Sequence, residues 1–332
     1  MRKFRNELER IEREKLVEII YRKNNIKEIE SSKIKYKNKR KIAIEISYEG
    51  FEYFGVQEDV SGLTISEVLK NALIKTDLAD ETDLEEIEFC GRTDAGVSAS
   101  KMVVSLMVKS KYKKVPREFD VVKYKFNDRE MYSHKYVSDD FAITTEDLQE
   151  MPFDAILNRV LPESIRINGW APVPFLFSAR HDCRERSYKY FFIYDEDIED
   201  FRKPKEILLK MNNFYNLSKH SNPKAIYDFS LNSLSYKRIE NDICSMEIKS
   251  YFFLHNMVRK IFFWSLRCVK TGRIDFKDVE NASSHGLVFS GAKFDFELNF
   301  IRKSVELERF VRKRSRNKMA IKNEITKYIN ES

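Results

Sequence analysis

Between Lys41 and Ser110 the spacing of apolar residues changes from strand period to helix period and back, and that succession restricts the possible folds more than any other feature of the chain. In KIAIEISYEG, Ile42, Ile44 and Ile46 alternate with polar residues and the run stops at Gly50, which predicts a half-buried strand. Thr64 to Thr76 then places Ile65, Val68, Leu69, Ala72 and Leu73 on one face of a helix. EEIEFCGRTDAGVSAS reads as a strand running into a tight turn, and KMVVSLMVKS as the strand that returns. The second half repeats this grammar, with a strand in RINGWAP, a helix-loop region after Asp195, strands near Ile243 to Ile248, and a long apolar helix from about Phe253 to Val269. No glycine-rich strand-to-helix turn of the dinucleotide type occurs, so an α+β protein with two sheet-bearing halves is expected rather than a doubly wound parallel sheet. The join is placed at Pro152, within the acidic stretch from Asp139 to Asp154, giving halves over 41–150 and 151–301.

Charge is unevenly distributed along the chain. Residues 1–41 hold 15 Lys and Arg against 7 Asp and Glu, and residues 302–332 hold 10 against 4; with a whole-chain charge of +7, the centre is left at −7. Basic ends on an acidic body suit arms that meet a polyanion such as a phosphate backbone, and equally a pair of solvated helices. Phe4, Leu8, Ile11, the Lys15/Leu16 pair, Ile19 and Ile20 recur at spacings of three and four, which predicts an amphipathic helix ending near Asn24–Asn25, followed by a lysine-rich linker to Arg40. Basic helical extensions are therefore expected over 1–40 and 302–332.

No run approaches the roughly 18 apolar residues of a membrane span, and the start MRKFRNELER is too charged for a signal peptide, so an intracellular protein without a membrane partner is expected. The four cysteines, Cys90, Cys183, Cys244 and Cys268, form no C-x-x-C pair and the five histidines no H-E-x-x-H. Neither a disulfide framework nor a zinc site has its ligands in place, and a metal-free chain is expected.

Glycine is scarce, with nine in the chain, so its positions carry information. Gly91 and Gly96 bracket G-R-T-D-A-G, but the Lys-Ser/Thr that a phosphate loop requires is replaced by Val97-Ser98, which excludes a nucleotide P-loop. What remains is one carboxylate, Asp94, in a glycine-flanked turn beside Arg92 and Thr93. Two readings stand: a hairpin turn with Asp in its ordinary turn role, or a strained turn that presents a nucleophile or base.

The ten residues Cys90-Gly91-Arg92-Thr93-Asp94-Ala95-Gly96-Val97-Ser98-Ala99 resemble the signature of the tRNA pseudouridine synthases of the bacterial anticodon-stem type and their eukaryotic relatives. Tyr48-Glu49-Gly50 with Phe54-Gly55-Val56-Gln57 is similar to that family's opening strand and loop. A second block runs through Val160–Arg166 and Phe177-Ser178-Ala179-Arg180-His181 to Arg186-Ser187-Tyr188-Lys189-Tyr190, and a third is Phe253-Leu254-His255-Asn256-Met257-Val258-Arg259. The resemblance spans about residues 41–300 and leans toward the branch that modifies tRNA positions 38 and 39. Three features depart from the pattern: Ala95 stands where eukaryotic members usually have Lys, Ala282-Ser283-Ser284-His285-Gly286-Leu287 lacks the usual prolines, and Lys293-Phe294-Asp295 replaces a customary tyrosine.

The resemblance implies two ferredoxin-like halves forming one mainly antiparallel sheet flanked by helices, with a central RNA-binding cleft. It implies a homodimer acting on the tRNA anticodon arm in the nucleus or cytoplasm, without cofactor or metal. Pseudouridine formation breaks a C–N glycosidic bond, turns the base and rejoins it through carbon 5, with no redox step. Asp94 is then the nucleophile, as carboxylates are in glycosidases. Arg259, in an apolar helix, is its buried counter-cation, and Tyr188 stacks on the uracil and moves a proton. Arg92 holds the flipped-out state, while Thr93, Gln57, Arg180, Arg186, Lys189 and His255 contact substrate or RNA. Without the resemblance, Arg259 reads as a snorkelling helix-edge residue and Tyr188 as one core or surface tyrosine among sixteen. A silent tRNA-binding protein, a synthase for other tRNA or mRNA uridines, and a glycosidase are the alternatives; the last lacks a recognisable second carboxylate.

Overall fold

A computed structural model describes residues 38–58, 62–112, 120–126, 129–135, 138–217 and 227–303. The helices expected before residue 38 and after residue 303 lie outside these residues. The strands are β1 (Asn38–Tyr48), β2 (Glu88–Phe89), β3 (Ser98–Ser110), β4 (Asp120–Phe126), β5 (Arg129–Lys135), β6 (Ile165–Pro172), β7 (Glu185–Ile193), β8 (Ser233–Glu240), β9 (Ile243–Ser250) and β10 (Leu287–Lys293). The helices are α1 (Ile65–Lys75), α2 (Thr145–Gln149), α3 (Phe153–Asn158), α4 (Arg202–Lys210) and α5 (Met257–Thr271).

Eight strands form one sheet in the order β6-β1-β3-β10-β7-β9-β8, with β2 added on β3, while β4 and β5 pair separately. Every pairing is antiparallel except that of β3 with β10, which is parallel and brief, through Ser98↔Val288 and Ala99↔Phe289. The α+β class and the mainly antiparallel sheet agree with the sequence. The parallel join brings the start of β3, just beyond Asp94, against the start of β10, so residues nearly two hundred positions apart meet at mid-sheet. β6 follows Pro152 in sequence but pairs with β1, at the opposite edge from β8.

The predicted helix at 64–76 is α1, started by a capping box in which the Thr64 side chain accepts from Glu67 N–H and Glu67 accepts from Thr64 N–H. Its face of Ile65, Val68, Leu69, Ala72 and Leu73 joins Ile42, Ile44 and Ile46 of β1 in one continuous core. The long apolar helix begins at Met257 rather than near Phe253. Asn256, in the left-handed region at φ 59°, breaks the regular backbone just before it.

Asn38–Arg40, expected in the lysine-rich linker, are instead part of β1. The reason is tertiary. Arg40 is buried, its Nη2 2.7 Å from Asp147 Oδ1 and its Nη1 3.4 Å from Glu150 Oε2, with its guanidinium over the Trp170 ring. The acidic stretch expected to be a linker thus contributes Asp147, Glu150 and Asp154 to the interior.

Candidate active site

The turn carrying Asp94 is held on both sides of the carboxylate. Before it, Cys90 N–H donates to Val103 O, Val56 N–H donates to Thr93 O at 3.1 Å, and the Tyr48 hydroxyl and Thr93 Oγ1 share a hydrogen bond of 2.8 Å. After it, Gly96 N–H donates to Tyr53 O and Val97 N–H to Asp94 O. Gly96 has φ +81°, a conformation that demands glycine, and a Cβ there would also press within 2.5 Å of Ser284 Oγ. Gly55 meets the same condition from the other wall, with φ +89° and Thr93 O 2.6 Å from where a Cβ would stand. The turn has glycine-dependent geometry and also projects its carboxylate, one third exposed, into a cleft of about 830 Å³.

Two basic side chains reach Asp94, Arg259 from the first turn of α5 and His255 from just before it. Arg259 Nη1 stands 3.9 Å from Oδ2, and His255 Nε2 stands 3.9 Å from Oδ1. Arg259 is fixed by donating from Nε to Ala282 O at 2.6 Å and from Nη1 to Asn256 Oδ1 at 3.1 Å. The helix N-terminus behind them adds a partial positive charge on the same side. The apolar stripe of α5, Met257, Val258, Ile261 and Phe262, anchors this corner in the core. Arg259 is accordingly held rather than snorkelling.

Tyr188 lines the cleft with its ring edge-on to Phe253 and Phe289, at 5.1 and 5.2 Å between centroids. Burial pushes its phenol well above the ordinary tyrosine range, and the charge of Asp94 adds to the effect. The hydroxyl therefore stays protonated near neutrality and is available as a donor. Tyr48, beneath Thr93, is raised for the same first reason, burial, against which its hydrogen bond to Thr93 works. Tyr48, Asn256 and Ala282 are positioning groups that the sequence did not single out for a role; the resemblance blocks containing Tyr48 and Asn256, and the missing prolines around Ala282, were the available signals.

Asp94, Tyr188, Arg259, Arg92, Thr93, Gln57 and His255 all line this cleft, joined by Phe54 and Leu287. Arg180, Arg186 and Lys189 do not. Arg180 is exposed beside Arg92, whose guanidinium is held below its ordinary value first by desolvation and then by the charge of Arg180. Arg186 is a brace: Nε donates to Cys90 O, Nη1 to Tyr251 O and Nη2 to Arg180 O, at 2.6, 2.6 and 2.9 Å. Lys189 neighbours Tyr188 in sequence, so strand alternation sends it to the other face of the sheet, opposite Glu247 and Val288. Among the described residues no group of three or more His, Cys, Asp or Glu could hold a metal ion, and no helix is long and apolar enough to cross a membrane.

No protein-family model matches the chain. Individual proteins do. A probable tRNA pseudouridine synthase of Caenorhabditis elegans is 34% identical over 237 residues, covering 67% of this chain and 56% of that protein. The tRNA pseudouridine(38/39) synthase of Mus musculus is 34% identical over 237 residues, 67% of this chain and 46% of that protein. The tRNA pseudouridine synthase A of Methanosarcina mazei is 24% identical over 283 residues, 81% of this chain and 90% of that protein. The chain thus spans about half the length of the two animal relatives.

Proposed function

The chain belongs to the tRNA pseudouridine synthase family, and on that premise we propose that it isomerises uridine to pseudouridine in the anticodon arm of tRNA, at position 38, position 39 or both. The observation that carries the reading is Asp94 projecting from a pinned turn into the cleft, flanked by Arg259 and His255 and facing a buried tyrosine. The uridine enters extruded from its stack, because a stacked base hides its glycosidic carbon. Arg92, exposed at the cleft, occupies the space the base leaves, and Arg92 with Arg180 forms a paired positive surface for the adjoining phosphates.

Asp94 then attacks the ribose carbon that bears the base, the C–N bond breaks, and its electron pair leaves with the uracil ring. The ring turns while Tyr188 holds it by contact and hydrogen bond. Carbon 5 closes on the sugar carbon as the carboxylate departs, the proton on carbon 5 is lost, and N1 gains one, so the sum is an isomerisation. Arg259 sets its positive charge beside Asp94 in a cleft whose walls are partly apolar, and balances the carboxylate's charge when it is released. We read the two sides of the parallel β3–β10 join as ferredoxin-like halves, and the active molecule as a homodimer on which one tRNA contacts both subunits.

The test is to incubate purified protein with transcribed tRNAs carrying uridine at 38 and 39 and to map pseudouridine by mass spectrometry of digested RNA. Product at 38 or 39, abolished when those uridines are replaced by cytidine, is the expected result. Tight binding with no product in any tRNA would make this a silent binding protein, and product only elsewhere would move the target.

A further inference from the structure

Two rings beside the catalytic turn have no part in the chemistry described above. Phe51 is 56% exposed and meets His285 edge-on, with ring centroids 5.3 Å apart and planes at 82°. Neither lines the cleft, but both adjoin it. His285 Cδ2 lies 3.1 Å from where a Cβ on Gly96 would stand, and Gly96 is two residues from Asp94. Phe54, three residues after Phe51 and itself 48% exposed, does line the cleft.

Both rings sit on short turns pinned to the site. Phe51 lies in the turn Gly50–Glu52, where Gly50 N–H donates to Ser98 Oγ at 3.0 Å, Tyr53 N–H to Gly50 O and Glu49 N–H to Ser164 O. His285 lies in the turn Ser284–Gly286, where the Tyr190 hydroxyl donates to Ser283 O at 2.9 Å, His285 N–H to Ser283 Oγ, and Arg259 Nε to the adjoining Ala282 O. An exposed phenylalanine on a loose loop needs no explanation. One held against a histidine from just before β10, far along the chain, is a preorganised surface that loses little entropy on binding.

We infer that Phe51 and His285 form a stacking platform for the nucleobase next to the target uridine in the RNA substrate. This rests on the function proposed above and adds to it a second, sequence-tolerant contact. Extruding one base deprives its neighbour of a stacking partner, and aromatic and histidine rings are the groups that accept unstacked RNA bases.

The test is a coupling cycle on an anticodon stem-loop, intact or with an abasic nucleotide on either side of the target, with kcat and KM measured for each combination. With intact RNA, Phe51→Leu and His285→Ala should each raise KM roughly ten-fold and lower kcat much less. With one of the two abasic RNAs the increase should vanish, and Phe51→Tyr, which keeps a ring, should restore most of the affinity. Phe175→Ala, which removes a ring 46% exposed outside the cleft lining, is the comparison for nonspecific loss. An unchanged KM, or the same increase with every RNA, overturns the platform while the enzyme reading stands. A wild-type protein that makes no pseudouridine overturns the enzyme reading itself.

Discussion

Replacing Arg259 by Met removes the guanidinium whose Nη1 lies 3.9 Å from Asp94 Oδ2. Unit charges at that separation attract by about 4 kcal/mol at an effective dielectric near 20, and by about 1 kcal/mol in water. Asp94 is 33% exposed and Arg259 17%, so solvent screening brings the loss to roughly 1–2 kcal/mol. If that attraction serves the reaction, the single-turnover rate should fall by about ten-fold or more, since 1.36 kcal/mol is a factor of ten and Met also cannot bridge Ala282 O and Asn256 Oδ1. Arg259→Lys keeps the charge without the fork, so it should recover the electrostatic part of the rate while the loss of positioning remains. Lys189→Met removes a charge from the opposite face and should leave the rate in place. Single-turnover rates at saturating tRNA measure all three. Wild-type rates in Arg259→Met would refute the pairing and leave Arg259 as a helix residue that supports the 282–287 segment.

Asp94→Asn should abolish pseudouridine formation while tRNA affinity stays within several-fold of wild type, since the amide has the size but not the nucleophilicity of the carboxylate; turnover by the pure variant, with deamidation excluded by mass spectrometry, would sink the assignment. Gly96→Ala should cost about 1–3 kcal/mol by denaturation and most of the activity, because the added Cβ meets Ser284 Oγ at 2.5 Å at a φ of +81°; full activity would show that the turn relaxes freely. Arg40→Met should destabilise by about 3–5 kcal/mol by leaving Asp147 and Glu150 buried without their cation, read as a shifted denaturation midpoint. Asp147 is held below its ordinary range, burial opposing this and being outweighed by the Thr144 hydrogen bonds and Arg40, so its contribution to stability is present above about pH 4 and fades as pH falls through the lower folded value. Residues 1–37 hold 12 Lys and Arg against 7 acids and residues 304–332 hold 8 against 4, so deleting both should flatten the slope of log affinity on log salt by about 0.9 for each duplex phosphate these ends neutralise, with kcat changed much less. An unaltered slope with a lowered melting temperature would assign these ends to stability.

The elements around Asp94 were legible because each is local. Alternation marks β1, the capping box and apolar face mark α1, and glycines at 91 and 96 mark a turn whose backbone only glycine permits at its second position. The ordered blocks around Arg92-Thr93-Asp94, Tyr188 and Arg259 pointed to residues that the fold gathers in one cleft, since residue type and spacing suffice to carry a family resemblance. What no stretch of sequence displays is the brief parallel pairing of β3 with β10, which carries residues 98 and 288 to the same place. Strand partners are chosen by burial of whole faces, a property of the assembled sheet. The same limit explains Arg40, whose strand position is decided by acids 107 and 110 residues away. It also explains Arg186 and Lys189, two basic residues of one strand. One is turned inward to three backbone carbonyls and the other lies on the face opposite Tyr188, because pleating and long-range packing, rather than charge, determine which side chains reach the cleft.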